Sequence, residues 1–151
     1  MNAIIDPSRQ RGVTLVELMI VVVIITVLAA IGYPSYTDFI TRSNRQAGKN
    51  LIYAIADRQE QFFLDNKQYA ANLTTLGFAA DTIACDRDGQ QTAAADADRT
   101  YVLDLTNTSA TTYTVRAAPQ LKQAARDAAC GTLTVTHLGQ RDASGGAANC
   151  W

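Results

Sequence analysis

Glu17 is the residue whose type and position most demand a chemical explanation. It stands near the start of VTLVELMIVVVIITVLAAIGYP, residues 13–34, a run that is otherwise apolar. From Leu18 to Ile31 there is no charge, and Thr26 is the only strongly polar side chain. A charge in such a segment costs on the order of 2.5–3.5 kcal/mol at a bilayer centre and less toward its edge, so it usually marks a function and implies a partner. No Lys or Arg lies one helical turn from Glu17, which favours a partner outside the same helix. Other chemistry is thinly represented. Three cysteines, Cys85, Cys130 and Cys150, come with no CxxC and a single histidine, His137, so a zinc site has little support. Asp86-Arg87-Asp88-Gly89 suggests calcium, but an EF-hand loop needs more ligands and a distal acid. A solvated loop is the favoured reading, and no metal is expected. Neither a Gly-rich phosphate loop, nor a nucleophile elbow, nor a His-based triad is present, so no catalytic residue and no cofactor is expected.

The elements that must position Glu17 follow from the two-part character of the chain. Among 151 residues with a net charge of −1, the first quarter holds the apolar run, and the remainder, rich in Ala, Thr, Asp and Gln, reads as soluble. Nothing in the global charge argues for nucleic acid. A helix from Val13 to Tyr33 would be about 31 Å long, enough to cross a hydrocarbon core. Arg9 and Arg11 outweigh Asp6 ahead of it, which favours a cytoplasmic N-terminus and an exported remainder. A cleaved signal peptide is the plain alternative, with Leu28-Ala29-Ala30-Ile31-Gly32 as a loose cleavage site. Such a peptide has no use for Glu17. In an exported domain disulfides can form. Cys130–Cys150 is the favoured pair, flanking a compact strand-like stretch, and would contribute about 3 kcal/mol by closing its loop. Cys85 is then left over, and other pairings stay open.

Beyond the run, apolar residues recur at Ile40, Ala47, Leu51, Ile55 and Phe62, tracing one face of a continuing helix. Gly32 and Pro34 predict a bend or local loosening within it, since proline lacks the N–H of the helical ladder. The aromatic residues Phe39, Phe62 and Phe63 are expected in the core. Residues 101–105, 112–116 and 132–136 alternate as half-buried strands, with Asn107-Thr108-Ser109-Ala110 as a turn. Residues from about Tyr69 to Arg99 are expected as a connecting loop, and His137 as an ordinary strand residue. The fold class is therefore α+β: a long N-terminal helix whose second half packs on an antiparallel sheet.

Gly12-Val13-Thr14-Leu15-Val16-Glu17-Leu18 resembles the processing site of type IV pilins and type II secretion pseudopilins, and Tyr33-Pro34-Ser35-Tyr36 falls where that family has its helix-bending proline. The resemblance implies cleavage between Gly12 and Val13 by a prepilin peptidase and N-methylation of Val13. It implies that Glu17 pairs with the N-terminal amine of a neighbouring subunit during assembly, an intramolecular contact with the chain's own Val13 amine being the competing arrangement. Two unit charges about 4 Å apart are worth about 4 kcal/mol at an effective dielectric of about 20. Val13 departs from the aromatic residue or Met found in most members. The resemblance also implies a leader (1–12), a transmembrane and filament-core helix (13–34), an amphipathic second half (35–68) and a globular head (69–151) with a disulfide-bounded C-terminal region. Arg58-Gln59-Glu60-Gln61-Phe62-Phe63, Asn66-Lys67-Gln68-Tyr69 and Ala129-Cys130-Gly131-Thr132, with the terminal Cys150-Trp151, look like PilE-type minor pilins. The expected role is a structural subunit supporting pilus assembly, twitching motility and adhesion. Implied partners are other pilin subunits, the peptidase, the inner-membrane assembly platform and membrane lipid. The expected location is the inner membrane, with the head periplasmic, and then the extracellular filament. A major pilin, a DNA-uptake pilin and a pseudopilin are the alternatives, and a membrane-anchored periplasmic enzyme or binding protein is the rival from another class. DNA binding would need a stripe built from Arg116, Lys122, Arg126 and Arg141, among which Asp104, Asp127 and Asp142 are interspersed.

Overall fold

The apolar run and the amphipathic stretch behind it form one helix, α1 (Leu15–Asn66), in a computed structural model that describes residues 12–151. The charges of Asp6, Arg9 and Arg11 lie outside the described residues. Thr14 opens α1: its hydroxyl accepts from the Glu17 backbone N–H at 3.2 Å, and its carbonyl accepts from Leu18 N–H at 3.1 Å. This Thr-x-x-Glu spacing is that of a capping box, whose threonine half here satisfies one donor orphaned by the first turn. The helical assignment runs through Gly32 and Pro34. Around the proline, Ser35 Oγ donates to the Ile31 carbonyl and Thr37 Oγ1 to that of Pro34.

The chain divides into two units, one ending at Thr37 and the other comprising Asp38–Trp151. In the first, every large apolar side chain from Val13 to Ile31 is exposed, as with Leu15 at 74%. The segment is long and apolar enough to cross a membrane. An uninterrupted apolar surface of this kind is stable only in lipid or against other protein.

The second unit is built on a six-stranded antiparallel sheet: β1 (Thr82–Cys85), β2 (Gln91–Ala93), β3 (Tyr101–Thr106), β4 (Thr114–Pro119), β5 (Leu133–Thr136) and β6 (Arg141–Ala143). Their order is β2-β1-β3-β4-β5-β6. The register carries one inward row, Ile83–Leu103–Ala117–Leu133–Ala143, across five strands. With Val115 and Val135, this row forms a core with Ile52 and Ile55 of α1. Each fully buried aliphatic side chain of that kind stabilises by about 1.5–3 kcal/mol. The opposite row, Thr82–Asp104–Arg116–Thr134–Asp142, is polar, as a one-sided sheet requires.

The α+β architecture with a long helix on an antiparallel sheet stands, but several details differ from expectation. The stretch from Tyr69 to Arg99 is not all connection, because it folds into the β1–β2 hairpin. The expected strand at residues 112–116 runs instead from Thr114 to Pro119. A short helix, α2 (Leu121–Arg126), and β6 complete the fold. His137 sits in the turn after β5, beside Tyr69 and Tyr113 with ring centroids 6.3 and 6.4 Å away. The helix face also shifts. Its buried positions are Thr41, Asn44, Gly48, Ile52, Ile55 and Gln59; Ile55 belongs to the apolar stripe, and Ala47 and Leu51 of that stripe pack partly buried at its side. Phe39 is 67% exposed rather than in the core. Gly48 shows why the face turns: a Cβ there would lie 3.1 Å from the Tyr101 ring, so the absent side chain lets helix and sheet approach closely.

Candidate functional site

The start of the described chain is small. Gly12, Val13 and Thr14 precede the helix, and all are exposed, Val13 at 71%. The exposed Glu17 occupies the first turn, where the unpaired N–H groups of the helix start also favour a carboxylate. The Gly12-Val13 pair is thus exposed ahead of the helix, with the Glu17 carboxylate four residues beyond Val13. Gly32 lies in α1 with open space around it.

In the head, the C-terminal region is fastened twice to α1 and the sheet. Cys130 and Cys150 form a disulfide, closing a separation of 20 residues. Cys85 is free, fully buried, and 3.4 Å from the Thr100 hydroxyl. Burial raises its thiol pKa, which keeps it protonated and unreactive. Just before the disulfide, Asp127 is buried to 1% exposure. Its carboxylate accepts from Arg45 of α1, whose Nε lies 3.0 and 3.1 Å from the two oxygens and whose Nη2 closes the fork. The Tyr101 hydroxyl and Gln123 Nε2 donate to it as well. Gln123 also donates to the Thr41 carbonyl and accepts from Asn44, and Arg45 Nη1 donates to the Asn149 carbonyl at 3.2 Å. Buried carboxylates are tolerated only when paired in this way. The hydrogen bond to Asp127 raises the Arg45 pKa, and burial followed by that same carboxylate raises the Tyr101 phenol. Sequence reasoning placed Asp127 on a mixed-charge surface, and nothing in its local pattern marked it as buried.

Three residues of the Arg58-Gln59-Glu60 stretch acquire separate tasks, all tying α1 to later parts of the head. Arg58 donates to the Leu76 carbonyl and lies 4.3 Å over the Phe78 ring. The buried Gln59 exchanges two 2.9 Å hydrogen bonds with the backbone of Ala70. Glu60 accepts from the hydroxyls of Tyr69 and Tyr113 at 3.2 and 3.0 Å.

The surface charges sort into paired and unpaired. Arg116 is tied to Asp104 and Arg87 to Asp98. Asp86 accepts from the backbone N–H groups of Asp88 and Gln90, which shapes the β1–β2 turn with Gly89 at φ +78°. Of the four residues proposed for a basic stripe, Arg116 is therefore neutralised in place, while Lys122, Arg126 and Arg141 form no ion pair among the described residues. Lys49, absent from that set, joins Arg141 beside the Trp151 ring, at 5.7 and 5.9 Å from its centroid.

Comparison with known proteins agrees with the N-terminal motif and with the chain up to residue 134. Residues 7–33 match the prokaryotic N-terminal methylation motif, and residues 34–134 match the family described as type IV minor pilin ComP, DNA uptake sequence receptor. The chain is 42% identical over 71 residues to the type IV major pilin protein PilA of Myxococcus xanthus, covering 47% of this chain and 32% of that one. It is 38% identical over 71 residues to the fimbrial protein EcpC of Eikenella corrodens (47% and 46%), and 37% identical over 94 residues to a fimbrial protein of Dichelobacter nodosus (62% and 56%). The matched stretch thus spans about a third to just over half of these relatives. With the methylation motif leading into an exposed apolar helix and a disulfide-closed head, the chain belongs to the ComP family of type IV pilins and is a structural subunit of that class.

Proposed function

We propose that this pilin is a minor subunit of a type IV pilus whose head receives DNA for uptake. The observation that carries the reading is the ComP family match over residues 34–134, because that stretch is mostly head rather than the apolar helix shared by all pilins. In this reading a prepilin peptidase removes residues 1–12 by cutting between Gly12 and Val13, and the Val13 amine is methylated. Residues 13–34 first anchor the subunit in the inner membrane, N-terminus cytoplasmic and head periplasmic. The assembly platform then draws the helix into the filament. There Glu17 meets the amine of a neighbouring Val13, and Gly32 with Pro34 lets the helix adapt. Residues 35–68 carry the head, residues 69–151, to the filament surface.

Deletion of the gene tests the DNA reading. Transformation by added DNA should be lost and restored in trans, with the protein scarce in sheared pili. Undiminished transformation would overturn it. Support of assembly, twitching and adhesion is the second reading, favoured by the pilin and fimbrial relatives. It predicts instead that deletion removes surface pili themselves.

A further inference from the structure

One rim of the head carries a cluster of cations and aromatic rings at a distance in the chain from Glu17. Lys49 and Tyr53 lie one turn apart on α1, Arg141 opens β6, and Trp151 adjoins the disulfide's Cys150. The register pairs Arg141 with Val135, so it lies on the helix-facing side of the sheet, yet on an edge strand where it stays exposed. Its guanidinium lies 5.6 Å from the Tyr53 ring centroid as well as beside Trp151. The two rings meet edge to face with centroids 6.3 Å apart. The indole N–H donates to the Asp142 carbonyl at 2.9 Å. That bond and the adjoining disulfide fix the ring that gathers the two cations.

Neither cation has a carboxylate within ion-pair distance among the described residues, and the neighbouring Arg45 is committed to the buried Asp127. Burial lowers the Lys49 pKa, and the positive charges of Arg45 and Arg141 push the same way. Like charges held together repel, and an anion set between them relieves the repulsion. The sheet adds a polarity. Asp86, Asp88, Asp96 and Asp98 gather at or near the β1–β2 edge, and β6 is the opposite edge. Asp142, next along β6, belongs to the outward row facing away from this cluster.

We propose that Lys49 and Arg141, held by Trp151, form a contact for the phosphate backbone of duplex DNA on the β6 rim. Cations lie over the indole, so the ring serves as their scaffold and not as a platform for a base. The site rests on the DNA-uptake reading and gives it a place on the head. It supplies backbone affinity, and sequence discrimination would come from other contacts.

The test uses the full chain in neutral-detergent micelles with a fluorescein-labelled DNA duplex, monitored by anisotropy over a series of salt concentrations. Each phosphate contact contributes about 0.9 to the slope of log affinity against log salt. Lys49→Gln and Arg141→Gln should each lower the steepness by about 1, and the double variant by about 2. Arg116→Gln, whose charge Asp104 already neutralises, should leave it unchanged. Trp151 is the chain's one tryptophan, so its emission in the wild type should change over the same DNA concentrations as the anisotropy. DNA binding with unchanged Trp151 emission, or a double variant with the wild-type slope, would overturn the site and spare the DNA-uptake reading. Failure of the wild type to bind DNA even at low salt would overturn both.

Discussion

Thr14 and Glu17 share the opening turn of α1, and each side chain has its own work there. The threonine hydroxyl holds the Glu17 backbone N–H, leaving the carboxylate free to meet a cation. Substituting Glu17 by Gln therefore removes the charge while leaving this backbone bond in place. Asp127 illustrates the opposite condition, a carboxylate whose donors are all supplied by its own chain. Because Arg45, Tyr101 and Gln123 converge on it, Asp127→Ala strands a partly buried guanidinium and several polar groups. The loss should be about 3 kcal/mol, at the lower end for broken buried pairs because Arg45 keeps some solvent contact. Urea unfolding of the detergent-solubilised chain measures it, and a midpoint equal to the wild type would contradict the clamp.

Two tyrosines join the strands to the helix, and their titration should be visible in the stability of that joint. Tyr101 of β3 and Tyr113, just before β4, are buried and donate to Asp127 and Glu60. Burial first, and those hydrogen bonds to carboxylates second, raise both phenols above the ordinary value of 10.0. A raised folded-state pKa means the native protein holds its protons more tightly than the unfolded chain. The stabilisation is therefore complete below pH 10 and declines as pH rises from there through the folded-state values. Melting temperature should hold up to about pH 10 and fall as the pH is raised further. Tyr113→Phe should flatten that fall, and an unchanged pH profile would contradict the linkage. The elements themselves were unevenly legible. Strands β3, β4 and β5 lie in the sheet interior, where one buried face imposes a period of two. Strands β2 and β6 have three residues and α2 has six, too few for a period to register, while β1 buries Ile83, Ala84 and Cys85 in succession and so shows no alternation. The buried helix face is centred slightly round from the apolar stripe because Asn44, Gly48 and Gln59 occupy its middle. Each is admitted by a specific partner or a close approach rather than by hydrophobicity. At the candidate site, Gly12, Val13 and Glu17 could be read from a motif. The burial of Asp127 and the meeting of Lys49 with Trp151 depend on pairings more than 80 residues apart in the chain, which no local pattern carries.

For the molecule as a whole, the sequence divides its physics between two solvents. The head closes its own core and its own polar clamp, while the apolar helix start leaves its surface exposed. In the proposed function, that surface and Glu17 act together as the subunit passes from lipid into a stack of its neighbours. Glu17→Gln should accordingly leave the protein in the membrane fraction while sharply reducing its recovery in sheared pili. Recovery at the wild-type level would remove the charge-pairing account. The pairing in turn depends on the amine created by processing. Intact-mass and N-terminal peptide spectrometry of the protein from sheared pili tests this most directly. A mature chain beginning at Val13 and carrying one N-methyl group is the predicted result. A chain beginning at Met1, or near Ala30, would contradict the account.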